Sequence, residues 1–345
     1  MTHATFSRIV RHAWPGETRA ALLDTDGRPC RLFMQRWAGQ GESARFGSQH
    51  GAHLRRIDDT LGGAFIELDS GEQAFVRLKD RRAYAEGASL NVEIVSEARR
   101  DKLARAAIID RVEAQQDGFA LWMTQIEGGD TLSIDDDPET VAFAFDEALA
   151  PSLTLPSGGQ VHIDRTRALW AFDIDTAGRT GKGSAAARAL SLNRDAIKAI
   201  ARQVELRGAG GLLIVDCVSP ITQEARELLR DAAQSAFAEY GVTGAKVLKP
   251  SPLGLLEASL PWRVCPIEDR LQADPGVTEL SDVLRNAQRE AASLPTGLFA
   301  LSLSNIARSA YLEHRTATDA ALEAHFGGRV VIKPQPSAQS MVEKR

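Results

Sequence analysis

Two apolar runs in the middle of this chain each end in a carboxylate. The run WAFDID contains Asp173 and Asp175, and the run GGLLIVD ends at Asp216. Continuous apolar runs are typical of buried strands in α/β sheets, so these acids are expected at the ends of neighbouring strands. Mg²⁺ accepts one or two protein carboxylates together with waters and phosphate oxygens. The pattern therefore indicates metal-assisted phosphodiester chemistry, with Asp173 and Asp216 as the metal ligands.

The residues next to these acids offer a second signal and an alternative. A glycine-rich loop follows Asp175 and contains Arg179 and Lys182, which together with backbone N–H groups can bind phosphate. The loop matches neither the Walker motif nor the dinucleotide fingerprint. Asp175 is interpreted as a third ligand or as an orienting neighbour of the metal site. The alternative is that these strand-end acids only cap helices or bound turns.

The elements that must position the acids form an alternating α/β pattern. A meander of three strands leads to Asp173, a helix capped by Ser184 follows, and a buried strand ends at Asp216. The helix shows an apolar face at i, i+3, i+4 and i+7 spacing. Ser219 and Pro220 predict the start of the next helix, with Ser219 as the N-cap. The predicted strands span residues 153–155, 161–163, 168–174, 212–216 and 246–248.

The part of the chain before this region is rich in short alternating runs. Residues 19–36 predict a hairpin around an Asp-Gly turn, and the runs that follow predict a small five-stranded barrel. The stretch GAFIELDSGEQAFVRLKD resembles the S-one-type OB-fold of RNA-processing proteins, in which surface aromatics stack on bases. The resemblance implies this role for Phe65 and Phe75; the alternative is that both rings lie in the core. The cations that could contact phosphate are Arg55, Arg56, Arg77, Lys79 and Lys102.

The remaining segments are predicted from periodicity alone. Residues 103–112 fit a helix or a strand, the run DGFALWMTQI fits a strand, and an acidic loop is expected at 128–138. That loop lacks the spacing and the central Gly of a calcium-binding loop. Further helices are predicted at 138–149, 278–292, 305–314 and 317–325, and further strands at 297–303 and 329–332.

Four motifs in the central region carry a more specific resemblance. LPSGGQVHID, ALWAFDID, IARQVELRGAGGLLIVD and GLLEASLPWR occur in the order found in the ribonuclease E/G family. The resemblance implies a DNase I-like catalytic domain that cuts single-stranded RNA with Mg²⁺, held here by Asp173 and Asp216. The expected fold is a multidomain α+β and α/β protein. Its expected units are a hairpin subdomain at 1–40 that packs on the catalytic part, an OB-fold RNA-binding domain at 45–107, a shortened connecting region at 108–150, the catalytic domain at 151–264, a linker at 265–277, a small α/β domain at 278–333 and a disordered tail at 334–345.

The chain departs from the family pattern at four places. Asp175 replaces an Asn, which adds negative charge beside the metal ligands, and Pro252 replaces a basic residue that would contact phosphate. The family's zinc-binding C-P-x-C link between subunits survives only as Cys265-Pro266, with Glu268 at the second Cys position, so no zinc is expected. The short region before residue 153 implies that the pocket for an RNA 5′ monophosphate is absent.

Composition narrows the functional classes. The net charge of −5 argues against tight sequence-independent nucleic-acid binding by the whole surface, although local basic patches can still serve. Three widely spaced Cys, no signal peptide and no apolar membrane span indicate a soluble cytoplasmic protein without a membrane partner. The family resemblance implies single-stranded RNA as the partner. A homodimer without a zinc link is compatible with the sequence.

Three functions fit these features. The leading hypothesis is a Mg²⁺-dependent endoribonuclease in rRNA processing or mRNA decay. The alternative is an RNA-binding protein or regulator with reduced or lost nuclease activity. A nucleotide-binding α/β enzyme is disfavoured by the predicted barrel and by the missing nucleotide fingerprint.

Overall fold

The structure is a computed structural model that describes residues 6–37, 44–100, 102–113, 117–178 and 183–345. Within these residues the chain forms a four-stranded sheet, a closed barrel, a six-stranded sheet and a three-stranded sheet. Helices pack on the three open sheets. None of the helices in the described ranges is long and apolar enough to cross a membrane.

The N-terminal sheet begins with an antiparallel meander. Its three strands are β1 (Phe6–Trp14), β2 (Glu17–Asp24) and β3 (Pro29–Arg36). The hairpin predicted at residues 19–36 is confirmed by the pairing of β2 with β3. The turn is held by Asp24, whose carboxylate accepts hydrogen bonds from the backbone N–H groups of Asp26 and Arg28. The pairing of β1 with β2 was not predicted, because β1 alternates weakly and carries basic residues.

The second unit is a closed five-stranded barrel, as the sequence predicted. Its strands are β4 (Gln49–Asp58), β5 (Gly63–Leu68), β6 (Gln73–Arg77), β7 (Ser89–Ser96) and β8 (Ala104–Ile109), in the closed order β4-β5-β6-β8-β7. Alternate residues such as Leu54, Ile66 and Val76 point inward and are buried. The ambiguous segment 103–112 is therefore a strand over residues 104–109.

The connecting region differs from the prediction at two points. Its elements are α1 (Gly118–Thr124), β9 (Ser133–Asp136) and α2 (Pro138–Leu149). The run DGFALWMTQI was predicted as a strand and is helix α1, because Asp117 caps the helix start and Phe119 and Trp122 bury one helical face. The acidic loop contains β9, which pairs in parallel with β1 and is supported by an ion pair between Arg8 and Asp135. The prediction of α2 is confirmed.

The central unit is a six-stranded mixed sheet. Its elements are β10 (Ser152–Thr154), β11 (Gln160–Arg165), β12 (Leu169–Asp175), α3 (Ala185–Arg207), β13 (Gly211–Asp216), α4 (Gln223–Glu239), β14 (Lys246–Val247) and β15 (Leu255–Leu260). The strand order is β10-β11-β12-β13-β15-β14, with β12 and β13 parallel. The meander and the Ser184-capped helix are confirmed.

The two faces of this sheet differ sharply. Phe172 of β12 and Val215 of β13 are buried in one core with Ile197 and Ile200 of α3, so the helices cover this face. The alternate residues lie on the opposite face, where Leu212 is 56% exposed. The sheet therefore has one covered face and one open face.

Helix α4 begins later than predicted. Thr222, rather than Ser219, is the N-cap, because its side chain accepts a hydrogen bond from the backbone N–H of Ala225 at 3.1 Å. Ser219 and Pro220 instead belong to the connection that follows β13. The Ser-Pro pair resembles a helix start in sequence, and Thr222 supplies the cap three residues later.

The C-terminal unit packs helices on a three-stranded sheet. Its elements are α5 (Ile267–Ala273), α6 (Pro275–Ser293), β16 (Phe299–Ser302), α7 (Asn305–Glu313), α8 (Arg315–Phe326), β17 (Val330–Ile332) and β18 (Met341–Lys344). The segment expected as a linker contains α5, which packs because Asp269 forms ion pairs with Arg165 and Arg100. The tail expected to be disordered contains β18, which pairs antiparallel with β16.

The N-terminal sheet and the C-terminal unit share buried contacts. Glu17 is 2% exposed and forms ion pairs with Arg19, Arg36 and Arg285, the last from α6. Trp37 follows β3 and lies in the apolar core of the C-terminal unit, where its indole N–H donates to Thr318 at 3.2 Å. Trp37, although distant in sequence, therefore completes the apolar core of the C-terminal unit.

Candidate active site

The structure brings Asp173 and Asp216 together at the carboxyl-terminal ends of the two central strands, β12 and β13, of the six-stranded sheet. The two residues are direct partners in the pairing of the parallel strands β12 and β13. Their neighbours Phe172 and Val215 are buried under the helices, so alternation places both carboxylates on the open face. Both aspartates are exposed. Within the described residues, neither side chain takes part in a hydrogen bond or an ion pair.

Asp175 lies farther along the same face than the other two acids. It pairs with Gln160 of β11, whereas the pairing of β12 with β13 ends at Asp173 and Asp216. Its carboxylate accepts a hydrogen bond from the backbone N–H of Ala177 at 2.9 Å. Asp175 therefore caps the turn that enters the glycine-rich loop, and it stands about two residues, roughly 7 Å, beyond Asp173 along the strand.

Arg179 and Lys182 of the glycine-rich loop lie outside the described residues. The end of that loop is described at Gly183, whose carbonyl oxygen accepts a hydrogen bond from Arg188 at 2.6 Å. Arg188 is exposed on the first turn of α3. It brings a cation close to the end of the loop, a position that the sequence argument did not single out.

Two further polar residues of the open face were missed by the sequence argument. His162 of β11 is the direct strand partner of Asp173, so His162, Asp173 and Asp216 form one row across three strands. Glu257 of β15 is exposed and pairs with Ile214 of β13. The available signal was alternation, since His162 stands between the apolar residues Val161 and Ile163 in a predicted strand.

The donor set favours a hard cation. The described residues contain no group of three or more His, Cys, Asp or Glu side chains arranged to hold a metal. The paired carboxylates instead provide two exposed oxygen ligands with space for water and phosphate, which suits Mg²⁺. The adjacent Cys217 offers no thiolate, because burial raises the pKa of its thiol to about 12.

The outer surface of the barrel carries the two predicted aromatics side by side. Phe65 and Phe75 are strand partners on β5 and β6, with ring centroids 5.5 Å apart in an edge-on arrangement. Both rings are half-exposed, so neither belongs to the barrel core. A Cβ at Gly63 would collide with the Phe75 ring, so this glycine lets the ring lie flat on the strand. The aromatic pair is available for stacking.

Cations surround this aromatic pair. The guanidinium of Arg56 lies 4.6 Å from the centroid of Phe65, and Arg105 is the strand partner of Phe75. Lys102 is exposed just before β8, where it pairs with Arg99. Arg77 and Lys79 are exposed on and just after β6, whereas Arg55 forms an ion pair with Glu67 and Arg56 forms one with Asp58 at 3.8 Å. The surface thus combines stacking area with positive charge.

The region around Cys265 is occupied by protein contacts. Burial raises the pKa of the Cys265 thiol to about 12, and the nearby Arg270 only partly offsets this. Glu268 accepts a hydrogen bond from Arg165 at 3.2 Å.

Two concave spaces are lined by residues other than the acid pair. One cavity of about 340 Å³ is lined by Phe33 of β3, Trp122 of α1 and Arg263, which follows β15. A more open space of about 630 Å³ runs beside α3 and is lined by Arg194 and Lys198. The acid pair is instead on an open sheet face, a shape that admits a polymer more readily than a small molecule.

These features define the chain as a multidomain α/β protein with an OB-like barrel and an open acidic site at the edge of a mixed sheet. Residues 137–260, which contain the acid pair, match the Ribonuclease E/G family. The match falls on the segment that carries the four motifs and confirms the resemblance found in the sequence.

Individual relatives support the same relationship. The chain is 34% identical over 163 residues to Ribonuclease E of Haemophilus influenzae, which is 46% of this chain and 15% of that protein. It is 35% identical over 119 residues to Ribonuclease E of Escherichia coli, which is 33% of this chain and 11% of that protein. It is 33% identical over 110 residues to Ribonuclease G of Salmonella typhimurium, covering 32% of this chain and 22% of that protein. The chain thus spans less than a quarter of these relatives' lengths.

Proposed function

We propose that this protein is a Mg²⁺-dependent endoribonuclease that cuts single-stranded RNA. The observation that carries the proposal is the direct strand pairing of Asp173 and Asp216 on the open sheet face, within the segment that matches the Ribonuclease E/G family. The matched relatives are named ribonucleases. The proposal includes a DNase I-like arrangement of the six-stranded sheet and a role in rRNA processing or mRNA decay.

Different side chains of the protein would have different roles in such a reaction. Asp173 and Asp216 would hold Mg²⁺, which supplies an activated water and neutralises charge on the scissile phosphate when it is bound. Asp175 holds the turn next to the site by accepting a hydrogen bond from the N–H of Ala177. Arg179 and Lys182 follow in the sequence. Those two cations would bind phosphate oxygens.

The barrel would hold the RNA strand on either side of the cut. Phe65 and Phe75 offer half-exposed rings to unpaired bases, while Arg56, Arg105 and Lys102 offer positive charge to the backbone. Base stacking is tolerant of sequence because every base presents a π face. This arrangement supports recognition of unpaired RNA with little base preference.

A cleavage assay with matched aspartate variants tests the proposal. Wild-type protein should cut a single-stranded oligoribonucleotide at internal positions when Mg²⁺ is added. Asp173→Asn and Asp216→Asn should each lose more than roughly 100-fold in rate, because even outer-shell partners of a metal commonly contribute 10–100-fold.

Asp164→Asn is the matched control for that assay. Asp164 is an exposed aspartate on the same open face, where it pairs with Ala171 rather than with an acid. Its substitution should leave cleavage within about twofold of wild type, as expected of surface changes away from the site. Equal cleavage by wild type and Asp173→Asn, or no cleavage by wild type, would contradict the proposal.

A second function is favoured by the departures from the family pattern. Asp175 adds a charge beside the acid pair and uses its carboxylate to cap a turn, and Pro252 is exposed where a basic residue is expected. An RNA-binding regulator with little nuclease activity would show salt-sensitive RNA binding that Phe75→Ala weakens, without cleavage at any Mg²⁺ or Mn²⁺ concentration. Metal-dependent turnover excludes this alternative.

A further inference from the structure

Leu253 lies at the same edge of the six-stranded sheet as the acid pair. Leu255, the first residue of β15, is the strand partner of Asp216. The backbone N–H of Cys217 donates to the carbonyl oxygen of Gly254 at 3.2 Å, so the pairing continues one step beyond the strands. The backbone of Leu253 is therefore about two residues, roughly 7 Å, from the level of Asp216.

The turn that carries Leu253 is held firmly. The N–H of Gly254 donates to the carbonyl oxygen of Ser251 at 3.0 Å, and the N–H of Ser251 donates to Leu255 at 2.8 Å. The hydroxyl of Ser251 accepts a further hydrogen bond from the N–H of Leu253 at 3.3 Å. Gly254 has a φ of +95°, which favours glycine. Leu253 is thus displayed on an ordered turn.

This displayed side chain is apolar and almost fully exposed. Leu253 is 84% exposed, the highest value among the exposed large apolar side chains of the described residues. The preceding Pro252 is also exposed, so the tip of the turn offers no cation to a phosphate. Leu248, 61% exposed, adds apolar surface beside Glu257 on the same open face.

Burial of such apolar surface is favourable, and the apolar part of a bound RNA strand is the face of its bases. A phosphate held at Asp173 and Asp216 would place a neighbouring base within reach of the turn. Apolar side chains, Leu among them, are used by nucleic-acid-binding proteins to hold a base away from its stacked neighbour.

We propose that Leu253 packs against the nucleobase next to the scissile phosphate and keeps that base unstacked. The proposal rests on the proposed function, because it assigns a base contact to the substrate of the same site. It makes Leu253 a residue that selects unpaired nucleotides, since a paired base cannot turn its face to the protein. The contact is insensitive to which base is present.

A thermodynamic cycle tests this contact by combining one change in the protein, Leu253→Ala, with one change in the RNA, the removal of a single base. The substrates are one single-stranded oligoribonucleotide and derivatives that each carry a single abasic site beside the cleavage position. With wild-type protein, one abasic site should lower kcat/KM by about fivefold, within the range of single base contacts. Leu253→Ala should show the same loss on intact RNA and no further loss on that abasic RNA. Leu253→Phe should keep or increase the activity on intact RNA.

Leu312→Ala is the matched control, because Leu312 is 53% exposed on α7, away from the six-stranded sheet. It should behave as wild type on every substrate. The inference is overturned if the fold-losses in kcat/KM from Leu253→Ala and from the abasic site multiply when the two are combined, which means that they act independently. It is also overturned if Leu253→Ala has no effect.

Failure of the proposed function gives a different result. If wild-type protein cuts no RNA, that function fails, and the same cycle is measured by fluorescence anisotropy as affinity for the same oligoribonucleotides. Loss of affinity that is shared between Leu253→Ala and one abasic site supports the contact. Independent losses, or no loss, overturn it.

Discussion

Two sets of acidic residues in this protein have opposite surroundings. Glu17 is buried and held by Arg19, Arg36 and Arg285, whereas Asp173 and Asp216 stand exposed and adjacent, with no partner among the described residues. A buried carboxylate needs compensating charge to remain ionised. An exposed adjacent pair instead retains its capacity to bind a cation from solution. The difference separates an acid used for folding from acids available for chemistry.

The largest effect on stability is expected at the buried member of this comparison. Glu17→Gln leaves three arginines without their shared carboxylate and should lower the free energy of unfolding by about 3–5 kcal/mol, as for a broken buried ion pair. Urea denaturation followed by circular dichroism measures it. Asp173→Asn in the same assay should change the value by no more than about 0.5 kcal/mol. Similar losses in both variants would break the comparison.

Removal of a stacking ring from the barrel should have the next largest effect. Phe75→Ala should weaken binding of single-stranded RNA by about 1–3 kcal/mol, the usual contribution of one base–aromatic stack. The loss of stability should be smaller than for a fully buried Phe, because the ring is partly exposed. Anisotropy titration at fixed salt measures the affinity. The control is Val76→Ala, because Val76 is the neighbouring residue and is buried in the barrel core. This substitution should lower the stability of the protein and leave its affinity for RNA unchanged.

The pH dependence of stability should also distinguish the two sets of acids. Burial would raise the pKa of Glu17, but its ion pairs with Arg19, Arg285 and Arg36 outweigh burial and lower the pKa below the ordinary 4.5. A lowered folded-state pKa contributes stability above 4.5 that is lost as pH falls through the folded value. The stability gap between wild type and Glu17→Gln should therefore narrow below pH 4.5. A gap that stays constant from pH 6 to pH 3 would argue against this ionised cluster.

The smallest effect is expected at Asp175. Asp175→Asn keeps an acceptor for the N–H of Ala177 but removes one negative charge from the acid edge. The Mg²⁺ concentration for half-maximal cleavage should rise by about two- to fivefold, since nearby exposed charges contribute up to about 1 kcal/mol. Titration of the cleavage rate with Mg²⁺ measures it. A loss as large as that of Asp173→Asn would make Asp175 a direct ligand.

Sequence patterns correctly predicted those elements in which the local sequence and the tertiary contacts favour the same secondary structure. The apolar period of α3 and the continuous run ending at Asp216 predicted a helix and a buried strand, and the structure contains both. The failures have a common cause. DGFALWMTQI has the composition of a strand, yet a cap at Asp117 makes it a helix, and β18 forms only because β16 is available as a partner.

The site shows the same limit. The sequence predicted Asp173 and Asp216 at the ends of neighbouring strands, but their direct pairing follows from the register of β12 and β13, which no local pattern specifies. The row that adds His162 depends on the register of β11 in the same way. Asp175, expected as a third ligand or an orienting neighbour, stays a prediction in that role, and the structure adds that its carboxylate accepts a hydrogen bond from the N–H of Ala177.

The burial of Trp37 has a consequence for synthesis of the chain. Trp37 and Glu17 leave the ribosome long before Arg285 of α6 and Thr318 of α8, the partners that bury them. Until those helices are made, the nascent N-terminal sheet exposes the indole ring of Trp37, and Glu17 has only Arg19 and Arg36 as charge partners. Burial of Trp37 therefore waits for α8, and chaperones that recognise exposed apolar side chains can bind at Trp37 until that helix has formed.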